Sequence, residues 1–276
     1  MIKEIFKEYK LQLIFIYCLF ALQYAIISFS PFLLGKAIDG LFQQEKINLV
    51  FYVTAETLAL LLGFFLKRYG TKVFMKIFSQ KAIKAIQILR DKNVIPSKIV
   101  SRYQLVGYYS DFFEYSLPSM LNAFIGAGTA LFMLFYIDYR IGIISTFLFI
   151  CMIVNNKIMS YKTQIVDLDI QNIKENITQT LMDNKPYNYQ LVNLSGQYVK
   201  KSNLDALNFF FNDTLSIIMH VTIMLILVYT YNSIGTITST LMYVDKIYGT
   251  TFNIFYFFMF MRSIENANKL IHEEKE

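Results

Sequence analysis

The sequence predicts an all-α membrane domain of six spanning helices, and three observations carry that reading. Over 276 residues, 55% are hydrophobic and only 17% charged, a balance outside the ordinary soluble range. Six apolar stretches lie near 11–35, 49–66, 116–137, 141–156, 214–232 and 240–261, and a spanning helix needs about 20 predominantly apolar residues. Nothing between them carries the alternating pattern of a β-strand.

Taken in order, the first stretch follows a charged segment (Lys3, Glu4, Lys7, Glu8, Lys10) and runs past signal-peptide length. With no small-residue cleavage site, it reads as a retained helix. The second stretch continues into 67–93, which lacks Pro and has Gly70 as its one Gly. Val73, Ile77, Ile83 and Ile86 recur there at helical spacing. Pro96 breaks that helix, and Ser97 is placed to cap a short new one. The fourth stretch is short unless its helix continues past Asn155. Its helical character extends over 157–182, Asn184, Lys185 and Pro186 interrupt, and a returning helix runs from about Tyr189 to Phe211. The sequence thus predicts two long helical hairpins, 67–115 and 157–213. Short turns are expected at Asp138–Arg140 and Asn232–Ser239.

Charge sets the expected orientation. The 67–115 connection holds ten Lys or Arg and 157–213 holds six, whereas 233–239 holds none. By the positive-inside rule, the hairpins and both termini face the cytoplasm. The net charge of +6 is explained by topology and anionic lipid, and no nucleic-acid partner is expected. Cys18 and Cys151 lie inside apolar stretches and read as packing residues.

Several segments in their order resemble the transmembrane half of ABC exporters. Pro31 to Asp39 is similar to the P-x-x-x-G-x-x-I-D stretch that ends the first helix of that family. Ser101–Arg102 resembles its first coupling element, and Phe135 to Arg140 its turn between helices three and four. Gly235–Thr236–Ile237–Thr238 resembles the turn before helix six. Ser97 to Pro118, with Ser110 to Glu114, looks most like a bacterial subgroup made without a nucleotide-binding domain. One departure is Val106, where the family usually carries Asp.

The resemblance implies a homo- or heterodimer in which helices four and five reach across to the other subunit. It implies that tips near 95–104 and 183–192 (Ser97, Lys98, Ser101, Arg102, Asn184, Lys185, Pro186, Tyr187) are coupling elements for a separate nucleotide-binding subunit. ATP and magnesium would be bound by that partner, with no cofactor on this chain. The implied function is translocation of an amphipathic or hydrophobic substrate by alternating access.

A phosphate loop needs glycines at fixed spacing ahead of Lys and a hydroxyl residue. Gly35–Lys36 and Gly70–Thr71–Lys72 both lack that pattern. Leu194–Ser195–Gly196–Gln197 resembles an ABC signature only superficially. No catalytic constellation appears, and with two His in the chain neither an enzyme nor a metal site is expected.

Three residues are candidates for a substrate cavity or proton site. Glu56 sits within the second stretch, where an acid must be protonated, paired or wet. The bland alternative is a hydrogen bond to a neighbouring Tyr or Ser. In Asp245–Lys246 the adjacent charges point to different faces; the expectation is that Lys246 snorkels outward and leaves Asp245 in a cavity, or that both lie near the outer interface. His220 can titrate near neutral pH or simply hydrogen-bond within the bundle. Ala123, Gly126, Ala127, Gly128 and Ala130 predict close packing of the third helix. Asp111 and Glu114 read as a solvated face or as acceptors for cations of span two. Two alternatives to the ATP-driven reading remain: proton-driven transport on the same fold, with Glu56 and Asp245 as proton sites, and a non-transporting scaffold or regulator of an ABC subunit.

Overall fold

The computed structural model describes residues 2–91, 111–183, 186–231 and 233–272. Among them there are seven α-helices and no strand. A short α1 (Ile2–Glu8) leads into α2 (Lys10–Phe42) and α3 (Ile47–Asp91). A π-helical turn, Phe112–Ser116, enters α4 (Leu117–Ile137). Then follow α5 (Tyr139–Met182), α6 (Asn188–Thr230) and α7 (Ile234–His272).

Five of these, α2 to α6, are long and apolar enough to cross a membrane, with the π turn counted with α4. The chain is a multi-pass membrane protein. The sixth expected span, 240–261, lies in α7, which does not meet that standard. Its sequence explains why: Thr240, Asp245, Lys246, Thr250, Thr251 and Asn253 interrupt the apolar residues. These polar groups are tolerated because α7 packs against α2, α4 and α5. Tyr243, Val244, Ile247 and Thr251 are fully buried.

At 45, 44 and 43 residues, α3, α5 and α6 are each about 65 Å long, roughly twice a bilayer's hydrocarbon thickness. The expected continuation of α3 beyond 66 and of α5 beyond Asn155 is therefore present. One helix ends at Met182 and the next begins at Asn188, on either side of Pro186. The break expected at Pro96 lies outside the described residues.

Two boundaries differ from expectation. The first helix does not stop near residue 35; with Pro31 inside it, α2 runs through the whole 31–39 segment to Phe42. Gln44, at φ 62°, then closes the helix in a left-handed turn, with the Glu45 amide donating to the Gly40 carbonyl at 2.7 Å, the pattern of a Schellman cap. The second difference is at Asn232–Ser239: α7 already begins at Ile234. The Asp138–Arg140 turn shrinks to Asp138 alone, whose carboxylate caps α5 by accepting the Arg140 amide at 2.8 Å.

The apolar residues collect into two cores. One joins α4, α5, α6 and α7 through Ala130, Leu134, Ile141, Met152, Met219 and Tyr243. The other joins α1, α2, α3 and the π turn through Ile5, Leu13, Leu66, Phe74, Ile77 and Phe113. Outward-facing Leu60, Phe64, Phe147, Ile150, Val221 and Val228 are exposed, as a lipid solvent requires. Helical backbone satisfies its own hydrogen bonds, so such faces can meet hydrocarbon.

Candidate functional site

Polar side chains inside the bundle form four groups. The first lies at the end where α2, α4, α6 and α7 meet. Asp39 of α2 accepts from Ser233 Oγ at 2.7 Å and from the Gly235 amide at 2.9 Å. Ser233 Oγ accepts from the Thr236 amide at 3.1 Å. The carboxylate thus sits on the freed N–H groups that begin α7, where its charge is favoured. Backbones come close here: a Cβ added to Gly35 would stand 2.5 Å from the Gly235 carbonyl oxygen. The two sequence segments 31–39 and 235–238 are therefore one structural feature. Together with Phe32, Tyr136, Ile137 and Tyr231 they line a hollow of ≈ 410 Å³.

The second group holds Glu56. Ser30 of α2 donates to its carboxylate, so the expected partnership with a neighbouring Ser is present. Lys246 of α7 lies close enough for its charge to act on Glu56. The expectation that Lys246 snorkels outward is wrong. Its Nζ donates inward to the Ile27 carbonyl at 3.0 Å. Its stem passes Gly126 of α4, where an added Cβ would stand 3.2 Å from Lys246 Cε. Outward snorkelling fails because the face of α7 that carries residue 246 is the one packed on α2 and α4. Glu56 also borders a hollow of ≈ 410 Å³ with Gln23, Tyr52 and Thr57.

The third group pairs two residues that the sequence offered separately. His220 Nε2 stands 2.9 Å from Asp245 Oδ1, while His220 Nδ1 stands 2.8 Å from the Ser216 carbonyl oxygen. A carbonyl only accepts, so Nδ1 carries hydrogen. The Asp245 contact joins α6 to α7. The side chain of Asp245 is 68% exposed and that of His220 24%. Two turns nearer the α6 N-terminus, Tyr248 donates to Asp213.

The fourth group was missed by sequence reasoning. Asn155 donates to Asn208 at 2.7 Å and Asn212 to Asn156 at 2.8 Å. Asn156 donates to the Thr251 carbonyl at 2.8 Å. Asn156, Asn208 and Asn212 are fully buried, and the network ties α5, α6 and α7. A signal was available: Asn208 and Asn212 are four apart on one helical face, opposite an Asn pair in an apolar run.

Nearer the α2 N-terminus, Glu114 resolves toward cations of span two. It accepts from Thr71 at 3.1 Å and lies 3.8 Å from Lys67 Nζ. Burial, then the Glu114 charge, raises the Asp111 carboxyl above its ordinary range. Lys81, nearly buried, donates to Glu8 at 2.6 Å; that hydrogen bond holds the Glu8 carboxyl below its ordinary range. On α4, Ala123, Gly126, Ala127 and Ala130 are buried, and Gly128 faces out.

Of the tip residues, Pro186 and Tyr187 are described and exposed. Ser97, Lys98, Ser101, Arg102, Asn184 and Lys185 lie outside the described residues. Among the described residues no group of three or more metal-ligating side chains comes together.

The helix lengths, the two cores and the meeting of segments 31–39 and 235–238 define a polytopic helical bundle. The ABC transporter transmembrane region family matches residues 2–236, and the chain belongs to that family. No curated protein matches it.

Proposed function

We propose that this chain is the permease subunit of an ABC-type transporter, dimeric and set in the bacterial inner membrane with both termini cytoplasmic. It moves an amphipathic or hydrophobic substrate by alternating access, and ATP and magnesium are bound by a separate nucleotide-binding subunit. The observation that carries this reading is the α5–α6 pair. At 44 and 43 residues both helices are longer than a bilayer is thick, and Pro186 and Tyr187 between them are exposed. A long helical lever with a small exposed tip is what a soluble motor needs in order to move membrane helices. The 95–104 tip is proposed as its counterpart. In this reading α7 crosses the membrane as the sixth span, and His220 and Asp245 face the substrate path.

A second reading, proton-driven transport, is favoured by the contact of His220 with Asp245 at 2.9 Å. A carboxylate and an imidazole in contact within a bundle can load and release a proton. Glu56 supports it less, because Ser30 and Lys246 already engage it.

Inverted membrane vesicles containing the protein and its neighbouring subunits separate the two. Uptake of an apolar fluorescent probe that needs ATP and survives a protonophore supports the first reading. Uptake that ignores ATP and collapses with the protonophore sinks it in favour of the second.

A further inference from the structure

A proline inside a spanning helix leaves one carbonyl without its partner. Residue 31 has no N–H, so the Ile27 carbonyl four residues earlier loses the bond that a regular helix would supply. In hydrocarbon that oxygen needs another donor. The donor is Lys246 Nζ, at 3.0 Å.

The same lysine answers a second problem. Position 246 is 12 residues into α7, about 18 Å along its axis, too deep for an ammonium to stand alone. Its surroundings supply oxygens and a counter-charge. The Ile27 carbonyl accepts its hydrogen, and Glu56 of α3 lies within reach of its charge. Glu56 is itself fixed to α2 by the Ser30 hydroxyl, next to the proline. Gly126 leaves the space through which the lysine stem passes. Each group removes a defect that another would leave: an unpaired carbonyl, a lone cation and a lone anion.

We propose that Lys246 is a tethered cation that fills the gap opened by Pro31, locking α2, α3 and α7 into one mechanical unit through Ile27, Ser30 and Glu56. The proline and the lysine are thereby coupled across 215 positions of sequence. Any repacking of the bundle that separates α2 from α7 must first withdraw Lys246 from Ile27.

The coupling is tested by a double-mutant cycle on the full chain in lipid nanodiscs: wild type, Pro31→Ala, Lys246→Met and the double variant, read by apparent Tm. Lys246→Met strips the Ile27 carbonyl of its donor in the native background. With Pro31→Ala the backbone N–H returns to that carbonyl, so the Tm loss from Lys246→Met falls to about half or less. Equal losses in both backgrounds overturn the proposal. A Lys246→Met protein that folds only with Pro31→Ala supports it.

If Lys246→Met folds in neither background, a direct contact decides. Solid-state NMR of wild-type protein with 15Nζ-lysine and 13C′-isoleucine must show a short nitrogen–carbonyl contact that vanishes in Lys246→Gln. Its absence in the wild type overturns the proposal. A contact that persists in Lys246→Gln belongs to another pair and overturns it as well.

Discussion

Asp39→Ala removes the acceptor that joins α2 to the start of α7. Two donors lose their partner: the Gly235 amide at 2.9 Å and the Ser233 hydroxyl at 2.7 Å. The hydroxyl turns to Thr236, already 3.1 Å away, so its loss is small. The amide belongs to the first turn of α7 and has no intrahelical acceptor. Losing a helix cap costs about 1 kcal/mol, and losing the favourable charge at a helix N-terminus adds about 0.3–1 kcal/mol. The sum, about 1.3–2 kcal/mol, lowers Tm by about 3–8 °C in a chain of this size. Asp39→Asn retains an acceptor oxygen and forfeits the charge, so it costs about half as much. The assay is the fraction of monodisperse protein surviving a temperature ramp, read by size-exclusion chromatography. An Asp39→Ala protein with unchanged Tm, or an Asp39→Asn protein as damaged as the Ala variant, refutes the reasoning.

Further outcomes follow from the other polar groups. Asn156→Leu keeps side-chain volume but removes two interhelical bonds, at about 0.6 kcal/mol each inside a membrane; a Tm loss of a few degrees is expected in the same assay. Asp245→Asn puts at stake the charge of one hydrogen-bond acceptor for His220, so ATP-dependent probe uptake stays within about threefold of wild type; abolished uptake would favour the proton-driven reading. The depressed Glu8 carboxyl gives a defined pH dependence. Its contribution is fully present above the unfolded value of about 4.3 and is lost as pH falls through the lower folded value. The Tm advantage of wild type over Glu8→Gln is therefore expected at pH 7 and shrinks in acid below about pH 4. Asp111 has the opposite sign: its raised carboxyl opposes folding once ionised, so Asp111→Asn raises Tm at pH 7 and changes it little in acid.

The helices were legible because apolar run length and helical spacing are local properties. The Pro186 break was legible too, since Pro, Asn and Lys leave nothing to bury there. What Pro31 does inside α2 was not legible, because the donor that meets the Ile27 carbonyl it frees is Lys246, 215 positions further along the chain. The α7 start misled for a related reason. Gly235, Thr236 and Thr238 read as a turn until Asp39 and Ser233 cap them. His220, Asp245 and Glu56 were found singly, because a charge within an apolar run is conspicuous. Their partners depend on which face of α7 meets which helix, and one residue of sequence does not reveal that. Amides are less conspicuous than charges, and the Asn155, Asn156, Asn208 and Asn212 network went unread although its spacing was present.

Whether this membrane subunit of the ABC family works with a motor on another polypeptide is read most directly by mild affinity capture from the native host, with identification of what comes with the protein. A nucleotide-binding subunit is expected to co-purify and to be lost when residues 95–104 or 183–192 are replaced. A homodimer free of any ATPase in repeated preparations would contradict that expectation.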